Sequence, residues 1–108
     1  MTDTVKVLSQ TNPSATTLTD SYTVPGATSA VISSIIVCNR SSATSFRISV
    51  AIAGAANNND QYLYYDTAIP ANDTFVATIG LTLGAADVIR VYATLATLTF
   101  QVHGVEIS

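Results

Sequence analysis

The sequence is poor in the side chains that carry most protein chemistry. Charged residues make up 10% of its 108 residues, and it has one His, one Cys and no Trp, although 48% of its residues are hydrophobic. The net charge is −3, and its only cations are scattered: Lys6, Arg40, Arg47 and Arg90. A nucleic-acid interface or an anionic membrane surface would require clustered basic residues. We therefore expect neither nucleic acid nor a membrane as a partner.

The single cysteine and the single histidine lack the neighbours that reactive sites need. Cys38 ends the apolar run Ile35–Cys38, so we expect it to behave as a small buried hydrophobic residue, and one cysteine excludes a disulfide within the chain. His103 has no second metal ligand or nucleophile at a recognised spacing. The sequence therefore predicts a protein that is not an enzyme and that has no cofactor and no metal site.

The main candidates for a metal-binding or catalytic site are four aspartates: Asp60, Asp66, Asp73 and Asp87. Gathered at one end of a sandwich, their carboxylates would suit calcium, and two of them would suit glycoside hydrolysis. No compact D-x-D-x-D loop is present, however, and Asp73 and Asp87 each precede an apolar segment. An Asp at such a position accepts backbone N–H bonds in a turn, so we predict turn-forming or solubilising roles for these residues.

Long apolar segments are also missing. No apolar run approaches the roughly 18 residues that a transmembrane helix needs. Residues 1–4 show no charged segment leading into an apolar one, so we expect no signal peptide.

What the sequence has instead is a pattern typical of β-strands. Apolar residues alternate with Thr and Ser, and turn residues separate the alternating segments. Segment 28–40 is apolar on both faces in its middle, which predicts the centre of a sheet that is covered on both sides. The chain is therefore predicted to be one all-β domain over residues 1–108, an antiparallel β-sandwich or jelly roll of about eight strands, with a closed barrel as the alternative. The predicted strands are 5–10, 17–24, 28–40, 44–53, 61–65, 74–79, 88–93 and 97–107.

One turn can be predicted in more detail. Pro25 and Gly26 follow the second predicted strand. Proline presets φ at the first central position of a type II turn, and glycine accepts the positive φ at the second. We therefore predict a type II turn with Gly26 in the left-handed conformation.

Two segments are candidates for contact with a partner. Tyr62, Tyr64 and Tyr65 form an aromatic cluster, and tyrosine is enriched at interfaces. Strand alternation places Tyr62 and Tyr64 on one face and Tyr65 on the other, so one face can equally pack in the core. Residues 1–14 contain Val5, Val7 and Leu8 and are too apolar for a free tail. They form either the first strand of the sandwich or an arm on a neighbouring subunit.

Six segments in order along the chain together form a recognisable pattern: Tyr22–Gly26, Ala30–Arg40, Phe46–Ile48, Gln61–Asp66, Ala71–Phe75 and His103–Ile107. This pattern resembles that of small virion structural proteins of tailed bacteriophages and cyanophages. One departure is the turn 24–27, which reads Val-Pro-Gly-Ala where such sequences often read Val-Pro-Ala-Gly.

The resemblance implies a non-enzymatic building block that is present in many copies. The first hypothesis is a capsid cement or decoration protein that forms a homo-oligomer and bridges major capsid subunits or other virion proteins. Its place would be the virion, after assembly in the host cytoplasm. The alternative is a tail-associated module that binds a host glycan or protein through residues 62–65.

Overall fold

Two antiparallel sheets packed as a sandwich form the fold in the computed structural model, which describes residues 2–108. The predicted all-β sandwich is confirmed, with nine strands. Single-turn 3₁₀ segments occupy Ile52–Gly54 and Asn59–Gln61. The strands are β1 Asp3–Thr11, β2 Thr19–Thr23, β3 Ser29–Asn39, β4 Thr44–Ala51, β5 Tyr62–Ile69, β6 Thr74–Ala77, β7 Leu81–Leu83, β8 Val88–Ala93 and β9 Leu98–Ile107.

The strands divide into two sheets that each combine distant parts of the chain. Sheet I has the order β1-β9-β3-β6, and β7 also pairs with β3. Sheet II has the order β2-β8-β4-β5. The long strand β3 lies between β9 and the short strands β6 and β7, so its predicted central position is confirmed.

The core lies between the sheets and is built from the inward side of each strand. Phe46 is at its centre, and its ring contacts those of Tyr64, Phe75 and Phe100 at centroid distances of 6.2, 5.3 and 6.1 Å. Burial of one such side chain contributes roughly 1.5–3 kcal/mol. The other large side chains with almost no exposed surface are Ile32, Ile35, Ile48, Ile69, Ile89, Leu98, Val24, Val37, Val91 and Val102.

Residues 3–11 form a strand of the chain's own sandwich. β1 pairs antiparallel with β9, with Val5 opposite Val105 and Val7 opposite His103. Of the two arrangements that the sequence left open for this segment, the structure has the first strand and not the extended arm. Met1 lies outside the described residues.

The turn at Pro25 differs from the prediction. Its left-handed residue is Ala27, with φ 55°, while Gly26 has no positive φ. Two later turns have the same form, with Asn72 at φ 53° and Ala86 at φ 70°. The positive φ therefore falls one residue later than the glycine, at the position that holds Gly in the Val-Pro-Ala-Gly pattern.

The predicted cover on both sides of β3 is wrong for this chain alone. One side of β3 faces the core, with Ile32, Ile35 and Val37 fully buried. On the other side Val31 is 40% exposed, and Ile36 and Cys38 are half-buried. Cys38 is therefore on the outer side of sheet I, and its predicted full burial is also wrong. An apolar strip of the longest strand faces outward.

Candidate contact surfaces

The outer face of sheet I has a row of valines across its three longest strands. Val31 of β3 lies opposite Val105 of β9, and Val105 lies opposite Val5 of β1. Residues opposite one another in antiparallel strands share a face, so the three side chains are neighbours. Val5 is 80% exposed, the largest exposure among the exposed hydrophobic side chains of the described chain. We call the outward side of sheet I, which includes this row, the valine face.

The rest of the valine face is almost free of charge. Lys6 and Glu106 belong to the same sheet but lie on its inner side, where they form an ion pair and Glu106 also accepts a hydrogen bond from Tyr22 of sheet II. Asp3, at one end of β1, is the exception among the described residues on this face. Its other members, by the strand registers, are Val7, Gln10, Ser29, Ser34, Ile36, Cys38, Thr74, Val76, Thr82, Thr99, Gln101, His103 and Ile107.

The predicted contact residues of β1 separate at a bulge. Val7 is 46% exposed on the valine face, as its pairing with His103 requires. The register shifts between Val7 and Ser9, and Leu8 packs instead against the core. Sequence analysis missed Val31, Val76 and Ile36 as surface residues, although the two-sided apolar pattern of segment 28–40 was the signal for two of them.

The tyrosine cluster lies on sheet II, and its predicted alternation is wrong. Tyr62 and Tyr65 contact each other edge to face, with ring centroids 4.9 Å apart. Tyr64 turns inward and packs against Phe46 and Phe75. The register of β5 against β4 shifts twice in this region, and Asp66 has φ 49°, so simple alternation fails. Tyr65 is 56% exposed.

The outer face of sheet II is charged and aromatic, in contrast to the valine face. The Arg47 guanidinium lies 4.2 Å from the ring centre of Tyr65 and 4.5 Å from that of Tyr92, and its Nε donates to Asp66 at 2.7 Å. This hydrogen bond raises the pKa of Arg47. A second pair joins Arg90 to Asp20 at 3.0 Å. These cations are held by their neighbours within the chain.

A shallow cavity lies beside the tyrosines on this face. Asn59, Tyr62 and Tyr65 line it, and its volume is about 350 Å³. Asn57 donates from its amide to the Tyr62 hydroxyl at 3.2 Å. Amide groups next to an exposed aromatic ring are a common setting for ligand contacts, because one group supplies hydrogen bonds and the other an apolar face.

One polar cluster crosses the sandwich between the sheets. The Tyr22 hydroxyl donates to Glu106 Oε2 at 2.5 Å, and Lys6 Nζ lies 3.1 Å from Glu106 Oε1. The hydrogen bond from Tyr22 lowers the pKa of Glu106, and the one from Lys6 adds to this effect. Burial and the neighbouring carboxylate raise the pKa of Tyr22. The cluster ties β1, β2 and β9 together.

Three other residues considered in the sequence, Asp73, Asp87 and His103, form hydrogen bonds within the chain. Asp73 accepts the backbone N–H of Thr74, and Asp87 accepts those of Ala53 and Gly84, so their turn-forming roles are confirmed. His103 Nε2 lies 3.0 Å from Gln101 Oε1. Within residues 2–108, no three His, Cys, Asp or Glu side chains are grouped so that they could hold a metal ion. No helix of the described chain is long and apolar enough to cross a membrane.

Comparison with known proteins finds no match for this chain among protein-family models, curated proteins or solved structures. The resemblance to phage virion proteins therefore stays a prediction from the sequence motifs.

Proposed function

We propose that this protein is a non-enzymatic structural component of a phage virion and, more specifically, a cement or decoration protein that bridges capsid subunits. The observation that supports this proposal is the valine face. It combines exposed apolar side chains with an almost complete lack of charge, on the outer side of the larger sheet. Such a face is suited to a dry contact with another protein surface.

The energetics of such a contact favour a lattice of binding sites. Burying apolar surface contributes about 25 cal/mol for each Å² removed from water, and an uncharged face adds no cost for stripping water from unpaired ions. Each copy alone then binds modestly because association costs translational and rotational freedom. Many linked copies on one capsid multiply these contacts, so the assembled layer is held far more firmly than one copy.

Virion composition tests this proposal. Purified particles are separated into heads and tails, and the copy number of this chain is measured by quantitative mass spectrometry. We expect the chain in heads, at a copy number comparable with that of the major capsid protein. A few copies confined to tails, or no copies in the particle, would contradict the proposal.

A second candidate function is a tail-associated module that binds a host glycan or protein. It is favoured by the exposed Tyr65 and the cavity that this residue shares with Tyr62 and Asn59. The variant Tyr65→Ala would then abolish adsorption to host cells while the particles stay intact, whereas Val76→Ser on the opposite face would leave adsorption unchanged. Unchanged adsorption of the Tyr65→Ala phage would remove this candidate.

A further inference from the structure

β1 is the least protected sheet edge of the described chain. The opposite edge of sheet I is broken into two strands of 4 and 3 residues. In sheet II, β2 has 5 residues and a register shift, and β5 is bent by two register shifts. β1 has 9 residues, and its first part, residues 3–7, is regular, exposed and free of proline. An edge of this kind is a ready template for pairing with another strand.

The backbone groups on this edge can be identified from the pairing with β9. The N–H groups of Thr2 and Ser108 each donate to the carbonyl of the other, so this pair is hydrogen-bonded. Antiparallel ladders alternate hydrogen-bonded pairs with pairs whose N–H and C=O groups point outward. The outward groups therefore belong to Asp3, Val5 and Val7. The Val5 side chain, 80% exposed, lies in the middle of this set.

We propose that two copies of this chain pair through β1, antiparallel, about a two-fold axis at Val5. In this register Val5 of one copy lies opposite Val5 of the other, and Asp3 lies opposite Val7. All three outward residues of each copy then exchange hydrogen bonds, and the pairing ends before Ser9, where β1 contacts β2 through Ser21. The two sheets I become one continuous sheet.

The charges on the edge segment of β1 favour this register, and they favour a second copy of the chain as the pairing partner. The edge segment carries one anion, Asp3, and one cation, Lys6, so two copies of it meet without net repulsion. With the axis at Val5, Lys6 lies opposite Thr4. A shift of the axis to Lys6 would place two ammonium groups opposite each other, which is destabilising. The axis at Val5 also joins the two valine rows into one band, from Val31 of one copy to Val31 of the other.

The inference deepens the proposed function and rests on it for the biological setting of the contact. It supplies the homo-oligomer that a bridging protein needs and doubles the valine face available to a capsid. A strand-edge contact of this length is small compared with the roughly 1,200–2,000 Å² of stable complexes. The isolated dimer is therefore weak, and the capsid lattice strengthens it.

Cysteine cross-linking of the purified full chain tests the pairing. In a Cys38→Ser background, Val5→Cys places two thiols at the axis, where Cα atoms of a hydrogen-bonded pair lie about 5.5 Å apart, within disulfide range. Val76→Cys is the matched control, an exposed valine on the same face at the opposite edge. After oxidation by air we expect on the order of tenfold more disulfide-linked dimer for Val5→Cys, because pairing raises the effective thiol concentration.

Equal cross-linking of the two variants would reflect random collision and would overturn the pairing. A second variant, Val5→Pro, removes the N–H at the axis, and an edge strand tolerates proline. By analytical ultracentrifugation we expect the mass of the unmodified chain to rise with concentration, and we expect Val5→Pro to fold without such a rise. A rise that Val5→Pro retains would also overturn the pairing. If cross-linking shows the pairing but the chain is missing from virions, the proposed function is wrong and the dimer through β1 is still supported.

Discussion

At the scale of single residues, Gly104 controls how closely β9 and β3 approach. The register between these strands shifts between Ile32 and Ser34, opposite Gly104. A Cβ built on Gly104 would overlap the Val31 carbonyl oxygen and lie 3.0 Å from Ile32 Cα. These are backbone atoms at the centre of sheet I, so they cannot move aside as a flexible side chain would. Glycine is required here by close approach and not by a positive φ.

The variant Gly104→Ala is therefore expected to lower the free energy of unfolding by about 3 kcal/mol or more. Gly26→Ala is the matched control, because a Cβ there meets nothing within 4 Å. Urea denaturation of both variants measures the effect. An unchanged midpoint for Gly104→Ala would show that the two strands are not held this closely.

The turn at Pro25 supports a second prediction on single residues. Ala27 has φ 55°, a conformation that costs a non-glycine residue roughly 1–2 kcal/mol. Glycine avoids this steric cost, but it loses more conformational entropy on folding, which offsets part of the gain. Ala27→Gly should therefore raise the free energy of unfolding by about 0.5–1 kcal/mol. Thermal denaturation measures the change, with Ala15→Gly, at a turn residue without a positive φ, as the control. A lower melting temperature for Ala27→Gly would contradict the assigned turn.

At the scale of elements, the Tyr22–Glu106–Lys6 cluster links the first, second and last strands. The pKa of Glu106 is lower in the folded chain than its ordinary value. A lowered carboxylate pKa stabilises the fold above the ordinary value, about 4.3, and this stabilisation is lost as pH falls from there through the folded-state pKa. The fold should thus lose part of its stability in acid through this one residue.

The variant Glu106→Gln tests this link. We expect it to be about 1–2 kcal/mol less stable at pH 7, because the charged hydrogen bonds are lost, and to show a shallower fall in stability between neutral pH and strong acid. Urea midpoints across this pH range provide the measurement, and Tyr22→Phe should show a partial effect. A pH dependence of Glu106→Gln identical to that of the unmodified chain would show that other carboxylates control acid stability.

The individual strands show which structural features could be predicted from the sequence and which could not. The alternation of Phe46 and Ile48, and the two-sided apolar pattern of β3, predicted the sandwich and the central strand because they depend on local periodicity. β7 was missed because Leu81–Leu83 is short and flanked by Gly80 and Gly84. The prediction that Tyr62 and Tyr64 share a face was wrong because the register of β5 against β4 shifts between them, and such a bulge depends on pairing with β4 and not on local sequence.

At the scale of the whole molecule, the two outer faces differ in chemistry. Sheet II presents Arg47 and Arg90, each paired with an aspartate, together with tyrosine rings. Sheet I presents an almost uncharged surface that includes Val5, Val31 and Val105. The sequence contained these valines but not their proximity, because residues 5, 31 and 105 meet only through the order of β1, β9 and β3. The candidate contact surface is therefore a product of topology.

An electron-microscopy map of the intact phage particle tests the central claim most directly. The account predicts density for this sandwich on the capsid, with the outer face of sheet I against neighbouring subunits and sheet II directed away from them. Contact through Arg47, Tyr65 and the rest of sheet II, with the valine face open to solvent, would contradict it.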